Sequence, residues 1–217
     1  GILSLYRRFL KLIRDEETAG NANVFYNPQD LTSLRVGTDG SGGQPVVGDP
    51  VGMMLDTSPT GSQTMEQFIE GQPELVTNGT FDTDSDWTLN SEMYIQDGSL
   101  LFTGTGTGVA TQDNLGMQSG KTYILEFEIS GRTTGNLYPR LGSSSNIATI
   151  NTDVNKKHTF FVTFSSAPAP DHVQIVTNVG FDGSIDNISV KEIPGHHAIA
   201  PSDAARPILY DEFDTSL

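Results

Sequence analysis

Gly183-Ser184-Ile185-Asp186-Asn187-Ile188-Ser189-Val190-Lys191-Glu192-Ile193 is the stretch that decides the fold. Ile188 and Val190 stand two apart, so in an extended strand they point to one face. Asp186 falls on that same face, one step nearer the preceding loop. A carboxylate on the buried side of a strand is costly unless it is paired or bound to a cation. Its expected partner lies about a hundred residues upstream, in Leu75-Val76-Thr77-Asn78-Gly79-Thr80-Phe81-Asp82. The two stretches read as the two ends of one domain, with 183–193 as its closing strand.

Between them the hydrophobic period is two. Strands are predicted at 75–81, 87–90, 93–96, 100–103, 108–112, 122–130, 137–141, 148–150, 158–164, 173–177 and 185–193. In 122–130, Tyr123, Leu125, Phe127 and Ile129 share one face while Glu126 and Glu128 share the other. Phe160, Val162 and Phe164 repeat the pattern. This is the alternation of antiparallel strands buried on one side. Asp97-Gly98, Ser119-Gly120 and Asp182-Gly183 punctuate the runs as turns. So many short strands predict an all-β chain, a two-sheet sandwich of jelly-roll type.

The composition agrees. Of 217 residues, 23 are Gly and 11 Pro, which favours frequent turns over long helices. The absence of cysteine excludes disulfides and thiolate metal sites. A net charge of −15 argues against nucleic-acid binding and is compatible with cation binding. No stretch reaches the ~20 apolar residues of a membrane-spanning helix, and a signal-peptide pattern is not found at the start.

Outside the strands, residues 1–19 predict an amphipathic helix. Ile2, Leu5, Phe9 and Leu12 recur at helical spacing, with Arg7, Arg8, Lys11 and Arg14 on much of the remainder. Its basic face suits a membrane surface, but Asp15, Glu16 and Glu17 follow at once, and the reading adopted is an anchoring helix that packs on protein. Residues 20–72 read as turns and short extended pieces, with an apolar run at 51–56 and a helical turn at 65–69. The predicted organisation is therefore 1–19 anchoring helix, 20–72 flanking segment and linker, 73–194 β-sandwich, and 195–217 C-terminal flank.

Three stretches, ELVTNGTFDTDSDWTL (74–89), SGKTYILEFEIS (119–130) and GSIDNISVKEI (183–193), together resemble the jelly-roll carbohydrate-binding modules related to families 4 and 22. That resemblance implies a β-sandwich with a structural calcium ion and, in many members, a sugar-binding face. The flanks, VFYNPQDLTSLRVGTDGSGGQPVVGDPVGMMLDTS (24–58) and GHHAIAPSDAARPILYDE (195–212), are similar to a segment frequent in phage and prophage structural proteins, where the two pieces run together. Here the β module separates them, which implies an insertion of about 59–194 into a virion-protein segment. His196-His197-Ala198 departs from the Asn-His-Ala usual in that segment.

The resemblance places acidic calcium ligands at Asp82 and Asp186, with Asp standing where the family usually carries Glu at position 82. Backbone carbonyls near Thr80 and around 97–99 would complete the shell. For a sugar face the candidates are Trp87, Tyr94, Tyr138 and Arg140, with Asn136 and Gln112 as polar helpers. Aromatic rings stack on sugars, and amides and guanidinium read hydroxyls. Trp87 lies in the DWTL motif, where such residues are usually core. His196-His197 reads as structural. No nucleophile, zinc or phosphate-loop signature occurs, so no enzyme is expected.

The function expected is a phage virion structural protein, a tail-fibre, tail-associated or capsid-surface component, located in the virion. It would display the module for glycan or virion-protein binding and form homo-oligomers, without nucleic acid or membrane insertion. The alternative is an accessory carbohydrate-binding module of a secreted polysaccharide-degrading enzyme, which Ser/Thr/Pro linkers would flank.

Overall fold

The computed structural model describes residues 31–37, 43–56, 64–152, 154–195 and 198–199. The helix predicted over 1–19, the His196-His197 pair and the flank beyond 199 lie outside the described residues. In chain order the elements are a 3-10 turn (Leu31–Ser33), β1 (Leu34–Arg35), β2 (Met53–Met54), α1 (Met65–Glu70), β3 (Thr88–Leu89), β4 (Met93–Gln96), β5 (Ser99–Phe102), β6 (Gly108–Asp113), β7 (Thr122–Ser130), β8 (Leu137–Leu141), β9 (Lys157–Thr163), β10 (His172–Thr177), β11 (Ser184–Ile193) and β12 (Ala198–Ile199).

These divide into two compact units. The first is discontinuous, taking its described residues from 31–37, 43–56, 64–70, 194–195 and 198–199. β2 is its central strand, with β1 on one side and β12 on the other, both antiparallel. Leu34, Met53, Leu55 and Met65 are buried. α1 begins with a capping box: Gln67 N–H donates to Thr64 Oγ1 at 3.3 Å, and Thr64 N–H donates to Gln67 Oε1 at 3.1 Å. Met65 and Ile69, four apart, form its buried stripe.

The second unit, Gly71–Ile193, is a two-sheet antiparallel β-sandwich. One sheet has four strands in the order β3-β6-β10-β8; the other has five, β4-β5-β11-β7-β9. The alternation read from 122–130 is observed in β7, whose Tyr123, Leu125, Phe127 and Ile129 are buried while Glu128 is exposed. Facing them across the core are Ala110, Leu137, Leu141, Val173 and Ile175 of the smaller sheet. Phe127 is fully buried and stacks on His158, with ring centroids 5.5 Å apart.

Three local expectations are corrected. Residues 75–81 form no strand. They cross β11 irregularly, with Leu75 N–H donating to the Val190 carbonyl at 2.9 Å and Ile188 N–H donating to the Gly79 carbonyl at 2.9 Å. Asn78 and Phe81 have positive φ, which breaks any ladder. Residues 148–150 contribute only a bridge between Ile150 and Leu137. Asp186 is not on the face of Ile188 and Val190. A bulge between Asp186 and Ser189, with Asn187 at φ 53°, shifts the phase of the strand by one. Ile185 opposite Ile129 and Val190 opposite Leu125 therefore face the core, whereas Asp186 stands opposite Glu128 on the other face.

Candidate functional site

The smaller sheet turns one face to the core; its other face carries the half-buried Thr111, Tyr138, Arg140 and Gln174, with Val176 buried among them. On β8, Leu137, Pro139 and Leu141 point inward and Tyr138 and Arg140 outward, because residues two apart share a face. Register then sets their neighbours: Gln174 lies opposite Arg140, Val176 opposite Tyr138, and Thr111 opposite Gln174 on the far side.

A polar row crosses the sheet. Asn146 Oδ1 accepts from Arg140 Nε at 2.7 Å. Arg140 Nη1 donates to Gln174 Oε1 at 2.7 Å, and Gln174 Nε2 donates to Thr111 Oγ1 at 2.9 Å. Thr88 of β3 is opposite Thr111 and extends the row. Beside it, the Tyr138 hydroxyl accepts from Asn136 Nδ2 at 3.2 Å. Arg140, Gln174 and Thr111 are half-buried and Asn146 is exposed; side chains interlocked in this way hold their rotamers, so the row is preorganised to present donors and acceptors outward. At the edge of this face, Asp113 of β6 lies 3.6 Å from His172.

Of the residues predicted from sequence, the structure brings Tyr138, Arg140 and Asn136 together. It does not bring Gln112, Trp87 or Tyr94 to them. Gln112 points inward: its Oε1 accepts from Thr77 N–H at 2.7 Å, and its Nε2 donates to the Thr77 and Asp86 carbonyls. It ties the 75–81 crossing to β6. Trp87 packs on the core with its ring centroid 5.4 Å from that of Phe81, and its Nε1 donates to the Asn78 carbonyl at 3.0 Å. Tyr94 is exposed, but on β4 of the other sheet. Gln174 and Thr111 were missed. The signal for Gln174 is a single long polar side chain inside the apolar run 173–177, on the face opposite Val173 and Ile175.

The two predicted calcium ligands lie at the other sheet's outer side. Asp82 is exposed and its Oδ2 accepts from Thr80 Oγ1 at 2.7 Å. Asp186 is half-buried. Burial pushes its carboxyl above the ordinary range, the charges of Glu128 and Asp82 add to that, and the Asn187 N–H, donating at 2.6 Å, opposes it. The Thr80 carbonyl oxygen stands 3.9 Å from where a Cβ on Gly98 would be, so the 97–98 turn adjoins the spot. Among the described residues, no three His, Cys, Asp or Glu are grouped as a metal-binding set. Asp82 is near enough for its charge to act on Asp186, and carboxylate and carbonyl oxygens are donors of the kind Ca²⁺ takes and softer metals do not.

The fold and this face define a jelly-roll β-sandwich with an open, polar sheet face. Among solved structures, a family 4 carbohydrate-binding module is 20% identical over 54% of this chain and 99% of its own, with a TM-score of 0.40. The family 22 module and family 10 catalytic module of a Clostridium thermocellum endo-1,4-β-D-xylanase, complexed with xylohexaose, match at 15% over 56% of this chain and 29% of theirs, TM-score 0.41. The enzymatically active domain of tailspike protein 4 of bacteriophage CBA120 matches at 20% over 55% of this chain, TM-score 0.38, and the match spans 21% of that tailspike domain. No family model matches the sequence. No curated protein matches it either. At such identities and TM-scores, no ligand carries over to this chain.

Proposed function

We propose that this chain is a phage virion structural protein, a tail-fibre, tail-associated or capsid-surface component, whose β-sandwich binds glycan through the open face of the four-stranded sheet. The observation that carries the binding role is the interlocked row Asn146–Arg140–Gln174–Thr111 with Tyr138 beside it. A sugar needs a ring to stack on and fixed donors and acceptors for its hydroxyls, and this face offers both. The virion assignment rests on the flank resemblance. It is supported by β2 and β12, which come from the two flanks and pair directly although the whole sandwich lies between them in sequence. Other virion proteins and further copies of this chain are the partners this reading implies.

The reading is binding without hydrolysis. Glycoside hydrolysis uses two carboxylates flanking the scissile bond. Among the strand residues of this face the carboxylate is Asp113, which is engaged by His172. Asp82 and Asp186 would hold a structural Ca²⁺, with the Thr80 carbonyl completing the set. The ion would offset the burial that raises Asp186 and the like charges that add to it, and would tie the 75–82 crossing to β11.

A glycan array probed with the full chain tests the binding role. Binding that falls at least about tenfold in Gln174→Ala and Tyr138→Ala, but not in Tyr94→Ala, is expected. No binding to any glycan, or equal binding by all three variants, contradicts it.

A further inference from the structure

We propose that the glycan taken by this face is acidic, with sugars bearing carboxylates, and that Arg140 selects it; this rests on the glycan-binding reading above. The argument begins with charge balance. Arg140 is half-buried, and both of its partners, Asn146 Oδ1 and Gln174 Oε1, are neutral amide oxygens. They aim the guanidinium without neutralising it. Among the described residues no carboxylate pairs with it: Glu192 takes Lys121, Glu126 takes Lys157, and Asp113 lies 3.6 Å from His172. A half-buried cation with no counter-ion is costly, and a ligand anion removes that cost.

The guanidinium's remaining donors suit a sugar carboxylate. The two amides occupy Nε and one Nη1 position, and a guanidinium has further N–H donors in the same plane. Its fork matches a carboxylate's two oxygens. Tyr138 sits two residues away on the same strand face, about 7 Å along the strand. A sugar ring stacked on Tyr138 therefore brings a ring carboxylate, or that of the next sugar, within reach of Arg140. The chain's overall balance, 12 Lys and Arg against 27 Asp and Glu, makes a lone uncompensated cation on this face notable. Long-range repulsion from that excess does not forbid an acidic ligand, since charges more than about 8 Å apart are largely screened at physiological salt. A neutral glycan would be served as well by a glutamine at this position.

The test uses the full chain and oligomers of galacturonic, mannuronic and glucuronic acid, each beside its carboxyl-reduced, neutral counterpart, with binding read by calorimetry at moderate salt. At least one acidic oligomer should bind about tenfold or more tighter than its reduced form. Arg140→Gln should bring the pair within about twofold at an unchanged melting temperature, and Arg140→Lys should keep part of the preference. Should the glutamine variant lose its melting transition, Arg140→Ala decides: an undiminished preference in it overturns the role of Arg140. Equal or better binding of every reduced form overturns the acidic selection while leaving the glycan reading standing. Absence of binding to all acidic and all neutral glycans overturns both.

Discussion

Glu74 and Val190, 116 residues apart, are joined by a 2.8 Å hydrogen bond from the Val190 N–H to Glu74 Oε1. The same oxygen accepts from the Leu75 and Val76 N–H groups, and Oε2 accepts from Ser189 Oγ at 2.5 Å. One carboxylate thus substitutes for a strand ladder where the chain enters the sandwich. Charge-assisted bonds of this kind contribute about 1.5–3 kcal/mol. Glu74→Ala should lower unfolding free energy by about that amount in a urea titration, and Glu74→Gln by less, because an amide oxygen still accepts. Equal stability of Glu74→Ala and wild type would show the contact to be incidental.

Gly79 crosses β11 so closely that an added Cβ would collide with the Ile188 carbonyl oxygen. Gly79→Ala should therefore destabilise the sandwich although glycine is normally the less favourable residue. The obstacle is backbone, which cannot swing away as a side chain can. An unchanged melting temperature would contradict this crossing geometry.

Phe127 is fully buried between His158 and Phe160. Phe127→Ala should cost about 3–5 kcal/mol, measured as a shifted denaturation midpoint with a single transition. A loss below about 1 kcal/mol would move Phe127 out of the core.

The strand periodicity was readable from the residues because burial on one face imposes it; 93–96, 122–130 and 137–141 coincide with β4, β7 and β8. Two-residue strands such as β1 and β12 carry no period to read. The Asp186 face was misread because a bulge depends on one positive φ at Asn187, which Asn tolerates without demanding it. Tyr138 and Arg140 could be placed on one face from spacing alone. Their junction with Gln174 and Thr111 depends on register between strands far apart in sequence, which no local pattern encodes.

Two carboxyls set opposite pH responses. Asp182 is held down to about 2, first by the Thr133 hydroxyl and then by the Thr134 and Thr133 N–H groups. Its folded value lies below the unfolded one, so its contribution is full above the unfolded pKa and is lost as pH falls through 2. Asp182→Asn should flatten that part of the acid-unfolding curve. Asp186 is raised, so without a cation its ionised form destabilises at neutral pH, and the penalty fades as pH falls through its folded value. In chelator, Asp186→Asn should be more stable than wild type. In Ca²⁺ the wild type should gain, by about 2.7 kcal/mol at a hundredfold excess over Kd, and the variant should not. A wild-type melting temperature indifferent to chelator contradicts the calcium reading.

The central claim is that the open face of the four-stranded sheet binds glycan. Its most direct test is amide chemical-shift mapping of the full chain titrated with a glycan that it binds. The account predicts perturbations centred on Tyr138, Arg140, Gln174 and Thr111, with Tyr94 and the outer side of the five-stranded sheet unmoved. Perturbations centred on Tyr94 and β4, with the Arg140–Gln174–Thr111 row silent, would contradict it.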